Sequence, residues 1–176
     1  MKTIGFKNFR RFENLEPLQL GGVNFLVGGN NSGKSTVVKA FMLLMDNLDL
    51  QAPNTNDGMF GRYPLFRLDA NHIHNVHIGT FGRALHKPYP EVKEIVLEGQ
   101  HRHFHFSYTI VGDEKATSAN AHVKKIEFTD LRDNVRYVFD FEIDEFSVFY
   151  NKLVLKKYAV KSGVDVFDRL RGMGTP

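Results

Sequence analysis

Residues 28–36 read Gly28-Gly29-Asn30-Asn31-Ser32-Gly33-Lys34-Ser35-Thr36. This spacing is a complete match to G-x-x-x-x-G-K-[ST]. Glycines at the two fixed positions let the backbone fold until successive N–H groups converge on one anion. A helix starting near Lys34 would aim its unpaired N–H groups and positive dipole end at that same anion. The chemistry is phosphate binding. On this reading Gly28 and Gly33 shape the loop, and the backbone of Gly29, Asn30, Asn31 and Ser32 lines it. Lys34 reaches the β- and γ-phosphates, Ser35 ligates Mg²⁺ and Thr36 bonds the α-phosphate. Asn31 is expected in the left-handed region, which asparagine tolerates better than most side chains.

Such a loop works only if a strand and a helix hold it. Val23-Asn24-Phe25-Leu26-Val27 is a compact apolar run stopped by Gly28-Gly29, which predicts a buried strand. From Lys34 the period changes. Val37, Val38, Phe41, Met42, Leu44, Met45 and Leu48 recur at three- and four-residue spacing, which predicts a helix packed on a core. Thr3 to Phe6 and Leu18 to Leu20 read as short strands. Residues 50–75 hold Pro53, Gly58, Gly61 and Pro64 with many Asn, and read mostly as loop.

Beyond Pro90 the pattern turns β. Phe104, Phe106, Tyr108 and Ile110 alternate with His103, His105, Ser107 and Thr109, and Val135 to Ile143 alternates likewise. Further strands are predicted at Val92–Leu97, His122–Phe128 and Phe146–Val160, the last broken near Asn151, with an irregularity at Lys124–Lys125. The Phe residues follow the strand period and read as core rather than as a base-stacking platform. The predicted fold is α/β with α+β character: a P-loop strand–loop–helix unit packed with an antiparallel β meander. One domain is expected over 1–176, with strands, loop and helix in 1–48, mostly loop in 49–91, antiparallel strands in 92–160 and a linker-like stretch in 161–176.

The composition bounds the alternatives. The chain has 176 residues, 42% of them apolar and 16 of them Phe, enough for a core and against overall disorder. No apolar run approaches the length that spans a bilayer, and the basic start lacks a signal-peptide h-region. With no cysteine, disulfides, thiolate metal sites and a cysteine nucleophile are excluded. A soluble, cytoplasmic protein with no membrane partner is expected. The net charge of +3 is too small to establish nucleic-acid binding, and the pI near 9.1 leaves it open. Residues 1–45 carry Lys2, Lys7, Arg10, Arg11, Lys34 and Lys39 against Glu13 and Glu16, a local excess that would welcome an anionic ligand.

The run from Ile4 to Leu44 resembles the N-terminus of RecF/SMC-type ABC ATPases, especially the OLD-like AAA-family ATPases. The resemblance rests on Asn8-Phe9-Arg10-Arg11-Phe12, matching an N-F-[RK]-x-F element, and on Gly28 through Thr36. A weaker echo is His77-Ile78-Gly79-Thr80-Phe81, which resembles the segment before that family's antiparallel sheet, near its Q-loop. The resemblance implies ATP and Mg²⁺ as ligands, with Arg10 approaching the nucleotide. The alternative for Arg10 and Arg11 is two solvated turn charges. It also implies that this chain is the N-terminal lobe of an ABC-type head, a fragment or one half of a split protein. A C-terminal lobe, in cis or in trans, would bring Walker B and signature motifs, and full-length heads would pair head to head as a homodimer. DNA is a possible partner of such heads, in DNA repair, genome maintenance or phage defence.

Several expected parts are missing. There is no signature motif. The nearest Walker B lookalike, Val138 to Glu145, is interrupted by Asp140 and Glu142, whereas a central parallel strand reads continuously apolar. It is expected to be an antiparallel strand, with catalytic residues unknown and Asp144 and Glu145 only distant candidates. Neither Gln51 nor Gln100 sits where a Q-loop glutamine should. The expectation is therefore ATP binding with little turnover by this chain alone. One alternative is a non-hydrolysing, nucleotide-gated interaction module. Another is a different P-loop NTPase: a GTPase, although Asn151-Lys152-Leu153-Val154 lacks the Asp of N-K-x-D, or a kinase, although βα units do not continue. His101, His103 and His105, expected on one strand face, and His72, His74 and His77 could share a metal, but the solvent face of a strand explains the first three as well. Lys152, Lys156, Lys157 and Lys161 read as a protected edge strand or a phosphodiester contact.

Overall fold

The computed structural model describes residues 1–50, 65–70, 76–88, 90–117, 120–142, 145–150 and 152–159. Thr3–Phe9 forms β1 and Phe12–Gln19 forms β2, a hairpin that turns through Arg10 and Arg11 because Phe9 pairs with Phe12. Lys34–Leu50 is the helix α1. Short elements follow: β3 (Leu65–Arg67), β4 (Asp69–Ala70), β5 (Val76–His77) and the single turn α2 (Phe81–Ala84). The rest is β6 (Glu94–His101), β7 (Phe104–Val111), β8 (Asn120–Asp130), β9 (Val135–Asp140), β10 (Glu145–Tyr150) and β11 (Leu153–Ala159). One antiparallel sheet runs in the order β11-β10-β9-β8-β7-β6-β1-β2, with β3 against β8 and β4–β5 as a separate ribbon.

Alternation builds the core. Phe6, Leu97, Tyr108, Ile126 and Phe139 are register partners in successive strands and all are buried. Burying such side chains is worth about 1.5–3 kcal/mol each. Burial pushes the Tyr108 phenol far up, since an apolar surrounding disfavours the phenolate. The irregularity at Lys124 is a bulge: Thr109 pairs with Lys125 and Ile110 with Val123, leaving Lys124 extra. Tyr150 pairs with Leu153 where β10 and β11 meet, and Lys152 takes φ 70°; the break expected near Asn151 falls on a residue outside those described.

The helix packs on β1, β3, β4 and β5. Its buried stripe is Val37, Ala40, Leu43, Leu44 and Asn47, spaced for one helical face. Asn47 closes the interface. Its amide donates to Leu43 O at 2.9 Å and Arg67 O at 3.0 Å, and its Oδ1 accepts from Arg67 N at 2.9 Å.

Two expectations are corrected. Val23–Val27 is not a buried strand: it makes no ladder, and Val23, Phe25 and Val27 are 76%, 84% and 90% exposed. A central strand needs neighbours on both sides, and no described segment lies beside this one. Val38, predicted on the core face of α1, is 41% exposed, because the sheet touches only one of the helix's two apolar sides. Within the stretch 49–91, expected mostly as loop, β3, β4, β5 and α2 are the short elements among the described residues; residues 51–64 and 71–75 lie outside them. The fold itself is mostly antiparallel sheet with few helices, a mixed α/β character without the P-loop strand. The stretch 161–176 lies outside the described residues.

Candidate phosphate-binding site

The loop has the backbone its glycines permit. Gly28, Asn31 and Gly33 take φ of 149°, 67° and 96°. A Cβ on Gly28 would stand 2.8 Å from the Ser32 hydroxyl oxygen, and one on Gly33 would stand 2.4 Å from the Phe12 ring. Ser32 N donates to Gly29 O at 3.2 Å, and Thr36 and Val37 N donate to Gly33 O at 2.8 and 3.2 Å. The N–H groups of Asn30, Asn31, Gly33, Lys34 and Ser35 make no bond among the described residues, the condition of a helix N-terminus ready for an anion.

Lys34 folds back over this loop. Its Nζ donates to Gly28 O at 2.6 Å, Gly29 O at 2.7 Å and Ser32 Oγ at 3.3 Å. The ammonium therefore rests on the oxygens of its own loop and has no carboxylate partner among the described residues. Ser35 is exposed on the first turn of α1, and Thr36 is 2% exposed. A groove of about 520 Å³ opens beside Ser35, lined by Val38, Lys39, Met42, Val76 and His77.

The N-terminal hairpin supports the loop from below. Phe12 stacks edge-on against Phe6, and Phe6 against Phe9, each pair with centroids 5.5 Å apart. Asn8 and Arg10 both sit at φ 54°, which costs about 1–3 kcal/mol per non-glycine residue. Bonds to the last residue of α2 and the segment after it hold them. Arg10 N donates to Ala84 O at 2.6 Å and His86 N to Asn8 O at 2.9 Å. His86 Nδ1 lies 3.0 Å from Arg10 O; a carbonyl only accepts, so Nδ1 carries the proton. Asn8 Nδ2 donates to Glu94 O at 3.0 Å. Arg10 thus belongs to a turn that reaches the loop through Phe12, while its guanidinium makes no hydrogen bond to residues 28–36 among the described residues.

Other sequence candidates lie elsewhere. Glu145 is on β10, separated from β1 by β9, β8, β7 and β6; it accepts from Ser147 Oγ at 2.6 Å and pairs with Lys157 at 3.0 Å. The lookalike around it is an antiparallel pair, Glu145 facing Asp140, and Asp144 lies outside the described residues. Gln100 is in β6, bonded to Arg102 O. The three expected histidines do not share a face: His101 ends β6, His103 lies in the turn and His105 is on β7. His103 faces Asp130 at 3.8 Å and His105 faces Glu98 at 3.5 Å. No three His, Asp or Glu side chains converge as a metal site among the described residues. His72, His74, Gln51, Asn151 and Lys161 fall outside those residues. Sequence reasoning missed His86 and Asn47, whose partners are distant in the chain.

Residues 1–162 match the family described as AAA ATPase domain. The chain belongs to the AAA ATPase domain family. The match takes in the hairpin, the loop and the sheet through β11, so the family is carried by the whole arrangement and not by the loop motif alone. This AAA ATPase domain is an ATP-binding lobe of the ATPase type. No curated protein and no solved structure matches the chain. No helix among the described residues is long and apolar enough to cross a membrane.

Proposed function

We propose that this AAA ATPase domain is the N-terminal lobe of a RecF/SMC/OLD-like head, which binds Mg-ATP through residues 28–36 and hydrolyses it when a second lobe completes the site. The observation that carries this reading is the exposed apolar run Val23–Val27 leading directly into an intact phosphate loop. Exposed contiguous apolar surface of this kind marks an interaction site, and a strand added on either side would restore the buried environment its sequence calls for. Val38 on α1 is a further exposed apolar side chain.

The residues fit the ligand. The backbone at Gly28 and Gly33 takes conformations and close contacts that exclude a side chain, and the free N–H groups and Lys34 suit an anion. Ser35 offers an oxygen to Mg²⁺, which when bound neutralises charge on the phosphates. Lys34 needs only to exchange its carbonyl partners for phosphate oxygens. The carboxylates of Val138–Glu145 that belong to the described residues are engaged at the far end of the sheet, which supports slow turnover by this chain alone. That same observation favours the second reading, a nucleotide-gated interaction module that does not hydrolyse.

Head-to-head pairing, DNA as a partner and a cytoplasmic role in genome maintenance or phage defence follow from the RecF/SMC/OLD reading and belong to the same proposal. Steady-state phosphate release at saturating Mg-ATP tests it. Little release by the chain alone, raised by a C-terminal lobe carrying Walker B and signature motifs, is the expected result. Fast release by this chain alone, abolished by Lys34→Ala, would place a water-activating group within it and overturn the two-lobe account. Slow release that no second lobe raises would leave the module reading.

A further inference from the structure

We propose that His86 is a positioning residue for the phosphate loop, acting through the Asn8–Phe12 turn; for nucleotide affinity this rests on the ATP-binding reading above. The relay is continuous. Neither Gly112 nor Gly82 has room for a Cβ: one on Gly112 would meet the Phe81 ring at 2.7 Å, and one on Gly82 would meet Glu114 O at 2.2 Å. These contacts seat α2 against the loop after β7. The chain leaving α2 then bridges to the hairpin, Leu85 pairing with Phe9, and His86 grips both strained residues of the turn. Its N–H binds Asn8 O and its ring binds Arg10 O. From Arg10 the chain enters Phe12, whose ring is pressed on Gly33.

Among these bonds the imidazole contact is the one a side-chain substitution can remove while leaving the backbone bonds in place. Arg10 O would then lose its donor, the turn would relax, and the Phe12 ring would shift on Gly33. Gly33 connects the free N–H groups to the first turn of α1, so its displacement misaligns them. Loss of one such hydrogen bond predicts about a fivefold weaker Mg-ATP affinity.

The experiment has two readouts on the full chain. The Gly33 amide resonance in a ¹H–¹⁵N spectrum reports the ring current of Phe12 without nucleotide, and calorimetry reports Mg-ATP affinity. His86→Leu should move the Gly33 resonance and weaken affinity about fivefold. His86→Asn, whose amide nitrogen can stand where Nδ1 stands, should restore both. In a Phe12→Leu background, His86→Leu should weaken affinity no further. An unmoved Gly33 resonance in His86→Leu overturns the proposal, as does an equal additional loss of affinity in both backgrounds. If the unsubstituted chain binds no Mg-ATP, the nucleotide reading fails, and the Gly33 resonance alone decides the positioning role.

Discussion

The Phe12 ring lies so close to Gly33 that a Cβ on that glycine would come within 2.4 Å of it. One contact thus joins the N-F-R-R-F hairpin to the phosphate loop. It also explains why position 33 excludes any side chain twice over, once by φ of 96° and once by the ring.

Gly33→Ala should therefore cost about 1–3 kcal/mol in stability, from left-handed strain and the displaced ring. Mg-ATP binding should be lost beyond that, because the N–H groups on either side of residue 33 would no longer converge. Urea melts and calorimetry on the same sample check both effects. A variant with unaltered affinity would remove Phe12 from the site.

The exposed run makes the opposite stability prediction. Phe25→Asp and Val27→Asp together should change the urea midpoint by no more than about 0.5 kcal/mol equivalent per site, since both side chains face solvent. The same pair should abolish any gain in phosphate release from an added second lobe. A strong loss of stability instead would mean that the run is covered in this chain after all.

Acid should loosen the sheet at β8 and β10. Hydrogen bonding from Arg132 holds the Asp130 carboxyl below its usual range, and hydrogen bonds from Ser147 and then Lys157 do the same for Glu145. Their folded values are depressed, so the stability they contribute is present above the unfolded carboxylate pKa of about 4 and is lost as pH falls through the lowered values. Melting points from about pH 7 to about pH 3 should drop on the acid side, and Asp130→Asn with Glu145→Gln should flatten that drop. An unchanged acid limb in the double variant would contradict these assignments.

What the sequence disclosed depended on how local the physics was. Asn31 and Gly33 were legible because a tight loop demands positive φ, and only a few residue types supply it. Phe106, Tyr108 and Ile110 were legible because strand alternation is set by the chain itself. Even the bulge at Lys124 and the turn at Lys152 left polar punctuation. Val23–Val27 was misread because hydrophobicity shows that a segment wants cover, never whether the cover belongs to the same chain. Val38 failed for the same reason: α1 is apolar on two sides and the sheet covers one. His86 could not be read at all, since it meets Arg10 across 76 positions and nothing about a histidine after Leu85 announces that contact.

Calorimetric titration of Mg-ATP into the chain and into Lys34→Ala tests the central claim most directly. Among the described residues Lys34 bonds only to its own loop, so its removal should leave the melt within about 1 kcal/mol of the original. It should weaken Mg-ATP binding on the order of 10–100-fold, the worth of a charge-assisted contact to phosphate. Equal affinity in the two proteins, with both folded, would contradict the assignment of residues 28–36 as the nucleotide site.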